Sequence, residues 1–230
     1  MKCSRIFGST LAICVIGTTI FAEKANATLA YDANLVNGVY YGSGNINGGF
    51  TIDTENGIEL GLRAKTRNPN DASQVINTPT NLYLVPPGFN PFPPTNVNDA
   101  AWNYDFSIDI LGGPDTAISQ LTATLTITDT VTLSQVTINP LNSLLGDATL
   151  GTTGVQNSEN PIFTGLFPTV YNPFSNDLYR FDLTVSDGNG NVETDTIFVN
   201  ATPEPSTIGL MLSGGLVLFL RRRSLGLVRK

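Results

Sequence analysis

The chain has 230 residues, 12 of them basic and 19 acidic, a net charge of −7 and only 13% charged side chains, against about 25% in ordinary soluble domains. It has no histidine, and its two cysteines, Cys3 and Cys14, both lie near the amino terminus. That composition excludes Ser-His-Asp and Cys-His catalysis, histidine or cysteine zinc sites, haem ligation and a structural disulfide in the body of the chain.

The amino terminus opens with Lys2 and Arg5, followed by an apolar run from Ile6 to Ala22 that is short for a permanent bilayer span. Small residues at Ala25 and Ala27 flank Asn26 just beyond it. This order predicts a secretory signal peptide over residues 1–27, cut after Ala27, and delivery by the general export machinery. With both termini set aside, residues 28–202 hold 4 basic and 17 acidic side chains, a balance of −13. Such a domain lacks the Lys and Arg that neutralise phosphate, so no nucleic-acid partner is expected.

Residues 28–202 are rich in Thr (24) and Asn (22), which disfavour helices and supply strand and turn residues respectively. A first hairpin is predicted around Glu55-Asn56-Gly57, between Phe50-Thr51-Ile52 and Ile58 to Ala64. A three-residue loop with Gly57 in the left-handed conformation would pair Ile52 with Leu60 and Phe50 with Leu62, so that the apolar faces coincide. Its outer face would then set Asp53 opposite Glu59. Arg63, Lys65 and Arg67 alternate after the turn. They form either a basic stripe able to meet an acidic glycan or charges that guard an exposed strand edge.

From Asn68 to Pro94 the chain is dense in proline and reads as a long surface loop, apart from a strand at Asn81 to Val85. Strict alternation then marks Trp102 to Ile110, with Trp102, Tyr104, Phe106, Ile108 and Ile110 on one face and Asn103, Asp105, Ser107 and Asp109 on the other. It predicts a strand with one buried and one solvated face. Leu121 to Thr128 and Tyr179 to Val185 repeat the pattern. A second loop region, Asn139 to Asn176, is expected to contain short strands. With no fixed-period repeat and no interior break, the economical architecture is a single all-β domain, a two-sheet β-sandwich, immunoglobulin-like or jelly-roll-like, spanning residues 28–202.

Two acidic arrangements carry chemistry. Asp187, Asn189, Asn191, Glu193 and Asp195 alternate along the last hairpin. Oxygen ligands at that spacing fit the opening of a calcium loop, and the same residues also serve a tight turn. Calcium is the one candidate cofactor. Paired carboxylates are also the only catalytic machinery open to a chain without histidine, as in a glycoside hydrolase. Asp105 and Asp109 lie about 13 Å apart along one strand face, beyond the roughly 6.5–9.5 Å of an inverting pair. Asp53 with Glu59 would sit on an exposed hairpin face without the burial that raises a general acid's pKa. No enzyme is therefore expected, and a secreted glycan-binding module or carboxylate-dependent hydrolase stands as the alternative.

The carboxyl terminus, residues 203–230, reads Pro203-Glu204-Pro205, Ser206, Thr207, an apolar run Ile208 to Leu220, then Arg221-Arg222-Arg223. Those 13 apolar residues reach about 20 Å as a helix, short of the roughly 30 Å hydrocarbon core, so the predicted transmembrane helix is a marginal anchor. The arginines place its far end in the cytoplasm and everything before Pro203 outside.

This tripartite order resembles the PEP-CTERM sorting tail of bacteria that make extracellular polysaccharide, over about 25 residues. The resemblance implies that Pro203, Glu204 and Pro205, with Arg221, Arg222 and Arg223, are the sorting motif. It also implies that a membrane exosortase recognises and processes the tail. The hairpin from Tyr179 to Val199 resembles, over about 20 residues, the closing strands of bacterial extracellular immunoglobulin-like or cadherin-like sandwiches. Together the readings predict an exported protein of the cell envelope or extracellular matrix, structural or adhesive, with extracellular polysaccharide as its partner class and the membrane as a transient anchor.

Overall fold

The computed structural model describes residues 28–39, 48–67, 80–89, 98–113, 115–142, 148–150, 152–163 and 166–201. They build two sheets from β1 (Thr28–Ala33), β2 (Phe50–Glu55), β3 (Ile58–Thr66), β4 (Leu82–Leu84), β5 (Trp102–Ile110), β6 (Thr122–Asp129), β7 (Gln135–Ile138), β8 (Ala148–Leu150), β9 (Gly154–Glu159), β10 (Asp177–Ser186) and β11 (Val192–Ala201). One sheet runs β1-β2-β3-β5-β9-β8 and the other β4-β11-β10-β6-β7. Every pairing is antiparallel except β4 with β11, which is parallel. The two sheets enclose one apolar core, as in a β-sandwich.

Alternation explains that core. Leu60, Leu62 and Ala64 of β3, Tyr104, Phe106 and Ile108 of β5, Leu125 and Ile127 of β6, Phe181 and Leu183 of β10, and Ile197 and Val199 of β11 all face the gap between the sheets and are buried. Each large aliphatic or aromatic side chain so buried contributes about 1.5–3 kcal/mol. Trp102 anchors an aromatic group at one end, with ring centroids 5.7 Å from Tyr171 and 6.2 Å from Phe181, both edge-to-face. The strands predicted at Asn81 to Val85, Trp102 to Ile110, Leu121 to Thr128 and Tyr179 to Val199 are all present, and β8 and β9 lie inside the second loop region.

The first hairpin departs from the predicted register. Glu55 pairs with Ile58, Thr54 with Glu59, Asp53 with Leu60 and Ile52 with Gly61, around a two-residue Asn56-Gly57 turn whose φ angles are +51° and +83°. Asp53 and Glu59 therefore lie on opposite faces of the sheet and are not cross-strand neighbours. The prediction assumed a single apolar face, whereas this sheet is covered on both sides. A second apolar cluster of Leu35, Phe50 and Ile52, with Ala33 and Val39 against it, sits on the face turned away from the main core. Phe50 and Ile52 belong to that outer cluster, which leaves Thr51 and Asp53 facing inward.

Gly61 permits this outer cover, since a Cβ there would fall 2.6 Å from a Leu35 methyl and 3.3 Å from the Phe50 ring. The same cover buries the polar face of β5, where Asp105, Ser107 and Asp109 are each about 2% exposed. The solvated face predicted for that strand is thus an interior one.

Candidate functional site

Three polar groups carry the chemistry of the domain. The first is the covered outer face of β3 and β5. Arg63 lies opposite Asp105 in register, with Nε 2.6 Å from Oδ2, and the Lys65 ammonium is 2.9 Å from the same oxygen. The Arg63 guanidinium also donates to the Gly48 carbonyl at 2.8 Å and lies 4.2 Å from the centre of the Phe50 ring, a cation–π geometry. Burial pushes the Asp105 carboxyl up, but Arg63 and Lys65 outweigh it and hold the group below the ordinary carboxylate range. For Lys65, burial pulls the ammonium down against the opposing pull of Asp105. Arg67, further along, pairs with Asp99 at 2.8 Å.

This overturns both predictions for the basic stripe. Arg63 and Lys65 are buried, so they present no charged stripe to a glycan. Nor do they guard an edge, because β3 lies between β2 and β5. Their alternation reflects one interior polar face matched by Asp105.

On that same face Glu59 lies opposite Asp109. The Val36 amide donates to both Glu59 oxygens, at 3.1 and 3.2 Å, and Asn37 Nδ2 donates to Asp109 Oδ2. Burial raises Glu59, the Val36 amide opposes the rise, and the Asp109 charge adds to it. Burial raises Asp109 as well, against the opposing Asn37 bond. The two carboxyls therefore pin the Leu35–Gly38 turn down onto the sheet. Sequence reasoning missed this pairing because it depends on which segment covers the strands.

The second group is the tip of the last hairpin. Asp187 Oδ1 accepts from the amides of Asn189 and Asn191 at 2.9 and 2.8 Å, and Oδ2 accepts from Asn191 Nδ2 at 2.7 Å. These bonds, the Asn191 side chain foremost, hold Asp187 below the ordinary range. Asp187, Asn189 and Asn191 thus close their own turn, with Gly190 at a φ of +87°.

Glu193 and Asp195, predicted as further ligands of the same loop, turn the other way. They occupy the inward face of β11, opposite Val185 and Leu183 of β10, and are 4% and 0% exposed. They form the third group, with Asp53 of β2 across the gap. Burial is the main cause that raises all three, and the Asp53 charge raises both Glu193 and Asp195. Glu193 is pushed up to about 9. Both oxygens of Glu193, both of Asp195 and Oδ1 of Asp53 are buried without a completed hydrogen bond. Among the described residues no three Asp, Glu, His or Cys side chains are already gathered in metal-ligand geometry.

No protein-family model matches the chain, and no curated protein matches it in sequence. Ala25 and Ala27 of the predicted signal, and Pro203, Glu204, Pro205, Arg221, Arg222 and Arg223 of the predicted tail, lie outside the described residues. Among the described residues no helix is long and apolar enough to cross a membrane.

Proposed function

We propose that this chain is an exported cell-envelope or extracellular-matrix protein with a structural or adhesive role, sorted through its PEP-CTERM-like tail and not an enzyme. The observation that carries the reading is the order of Pro203-Glu204-Pro205, Ile208 to Leu220 and Arg221-Arg222-Arg223. Each part has a separate physical task. The prolines end the helix on the outside, the apolar run holds it in the bilayer, and the arginines keep its far end in the cytoplasm.

The described body between the predicted ends supports it, since two facing sheets enclose one apolar core there. The finer architecture, immunoglobulin-like or jelly-roll-like, belongs to the same proposal. Burial of Arg63 and Lys65 against Asp105 withdraws the main support for a glycan-binding stripe, and the glycoside hydrolase keeps no specific observation in its favour.

The test is mass spectrometry of both termini of the protein from its native host. The expected mature chain starts at Thr28 and lacks Arg221 to Arg223. A cytosolic chain that retains Met1 and Lys230 overturns the proposal.

A further inference from the structure

The two ends of the sandwich differ in chemistry. Ala201, from which the chain runs on toward Pro203, is paired with Asp177, and Tyr179 of β10 is paired with both Val199 and Asp129. In the other sheet Thr66 is paired with Trp102, and Tyr104 with Glu159. The Trp102 ring lies 5.9 Å from that of Tyr179, so all these strand ends meet at one end of the sandwich. The turn after Asp129 and the connection from β9 to β10 therefore both cross the end from which the chain departs. The turn carries Val131 and Leu133 and the connection carries Phe163, Phe167 and Phe174, all exposed. Among the described residues five large apolar side chains are 61% exposed or more, and three of them, Val131, Leu133 and Phe174, stand here.

These side chains are held outward. The Asp129 carboxylate accepts from the amides of Val131 and Thr132 at 2.8 and 3.2 Å, which fixes the turn. Leu133 then occupies the left-handed region at a φ of +62°, a conformation that favours glycine or asparagine. It is 76% exposed, so burial in the core does not offset that conformation. Phe174 sets its ring edge-to-face on Phe89, centroids 5.6 Å apart, and is 84% exposed. Arg67 and Arg180 near this end pair with Asp99 and Asp182, each at 2.8 Å, so apolar side chains rather than free cations set its character. The opposite end is built of Asn56-Gly57, Gly112-Gly113 and the tip from Asp187 to Asn191, with Leu111 and Val192 exposed beside it.

An exposed apolar face marks a protein or a membrane contact, and the path of the chain decides between them. The seven Cα steps from Ala201 to Ile208 span at most about 25 Å, of which the polar headgroup layer takes about 5–8 Å. The ten residues of β10 separate the two ends by about 34 Å. A tail seated in the bilayer therefore brings the Phe174 end down to the membrane surface and leaves the Asn189 tip away from it. We propose that the anchored domain stands on the outer leaflet with Val131, Leu133, Phe163, Phe167 and Phe174 in the headgroup layer, a second contact beside the tail. Its partner is a zwitterionic lipid interface, which takes aromatic and aliphatic side chains without basic ones. The inference rests on the tail-anchored reading above.

The experiment expresses the full chain with its export signal in a bacterial host lacking exosortase, then moves it from the host membranes into phosphatidylcholine vesicles with and without bromine on the acyl chains. Tryptophan emission is compared for wild type, Phe174→Trp, Leu133→Trp and Asn189→Trp, with wild type giving the background of the buried Trp102. The added emission of Phe174→Trp and Leu133→Trp shifts to the blue and loses at least half its intensity to brominated lipid, whereas that of Asn189→Trp does neither. Adding Val131→Ser and Phe163→Ser to Phe174→Trp cuts the quenching at least twofold, which a tether alone would not do. If one of the two variants at this end fails to fold, the other decides. A chain that is exported but does not stay with the membrane overturns the anchored reading and the contact with it. A membrane-held chain whose Phe174→Trp and Leu133→Trp emission is unquenched overturns the contact alone and leaves the patch to a protein partner.

Discussion

Arg63 and Asp105 face each other on adjacent strands, Nε 2.6 Å from Oδ2, with both side chains closed off from solvent. Removing one member of such a pair leaves a buried charge and costs about 3–5 kcal/mol. Arg63→Ala is expected to lose that much in denaturant unfolding, more than an exposed ion pair could explain. Arg63→Ala with Asp105→Ala is expected to lose less than the sum of the single losses, because the contact between the two side chains is counted in both single losses. Additive losses would show that the pair is not coupled.

Most of the shifted carboxyls are raised. Asp53, Glu59, Asp109, Asp177, Glu193 and Asp195 move up, with burial the leading cause in each, while Asp105 and Asp187 move down. A raised carboxyl binds its proton more tightly in the folded chain. Its contribution is therefore complete below its unfolded pKa and is lost as pH rises through the folded one. For Glu193 that window runs from 4.5 to about 9. The lowered pair acts in the opposite sense and loses its contribution as pH falls through its depressed values. In calcium-free buffer the unfolding midpoint should therefore peak in mild acid and decline through neutrality. A midpoint that climbs steadily from pH 5 to pH 8 would contradict these shifts.

Gly57 occupies the left-handed region at a φ of +83°, and a Cβ there would run into the Gly112 carbonyl, a backbone group that cannot swing aside. Left-handed backbone alone costs an L-residue about 1–2 kcal/mol. Gly57→Ala should exceed that figure in equilibrium unfolding. Gly61→Ala should cost less, because the nearest obstacle is the end of the Leu35 side chain, which can rotate.

Glu59→Gln and Asp109→Asn probe the covered face. Each replaces an acceptor used by the Leu35–Gly38 turn, so each should speed amide hydrogen exchange in that turn while leaving β10 and β11 unchanged. Equal acceleration across both sheets would indicate global destabilisation instead.

Strand positions were legible because alternation is a local property. Trp102 to Ile110 emerges as β5 with the predicted inward set, and the hairpin from Tyr179 to Val199 lies within β10 and β11. The chain also displayed its two charged and apolar ends in full, together with an acidic middle lacking histidine, which restricted the available chemistry before any fold was known. β1 and β7 gave no such signal, since both are edge strands without a buried position.

What lay beyond sequence was the surroundings of each polar face. Alternation shows that Asp105 and Asp109 share a side, but not that Asn37 will bond Asp109 while Arg63 and Lys65 close on Asp105. Spacing aligns Glu193 and Asp195 with Asp187, but the pleat turns those two toward Asp53, a residue more than a hundred positions away in the chain. Burial of a charge is a nonlocal quantity, set by which segments meet when the sheets close. For that reason the strands could be read along the chain, whereas the ion pair of Arg63 and the acidic group between the sheets became visible only in three dimensions.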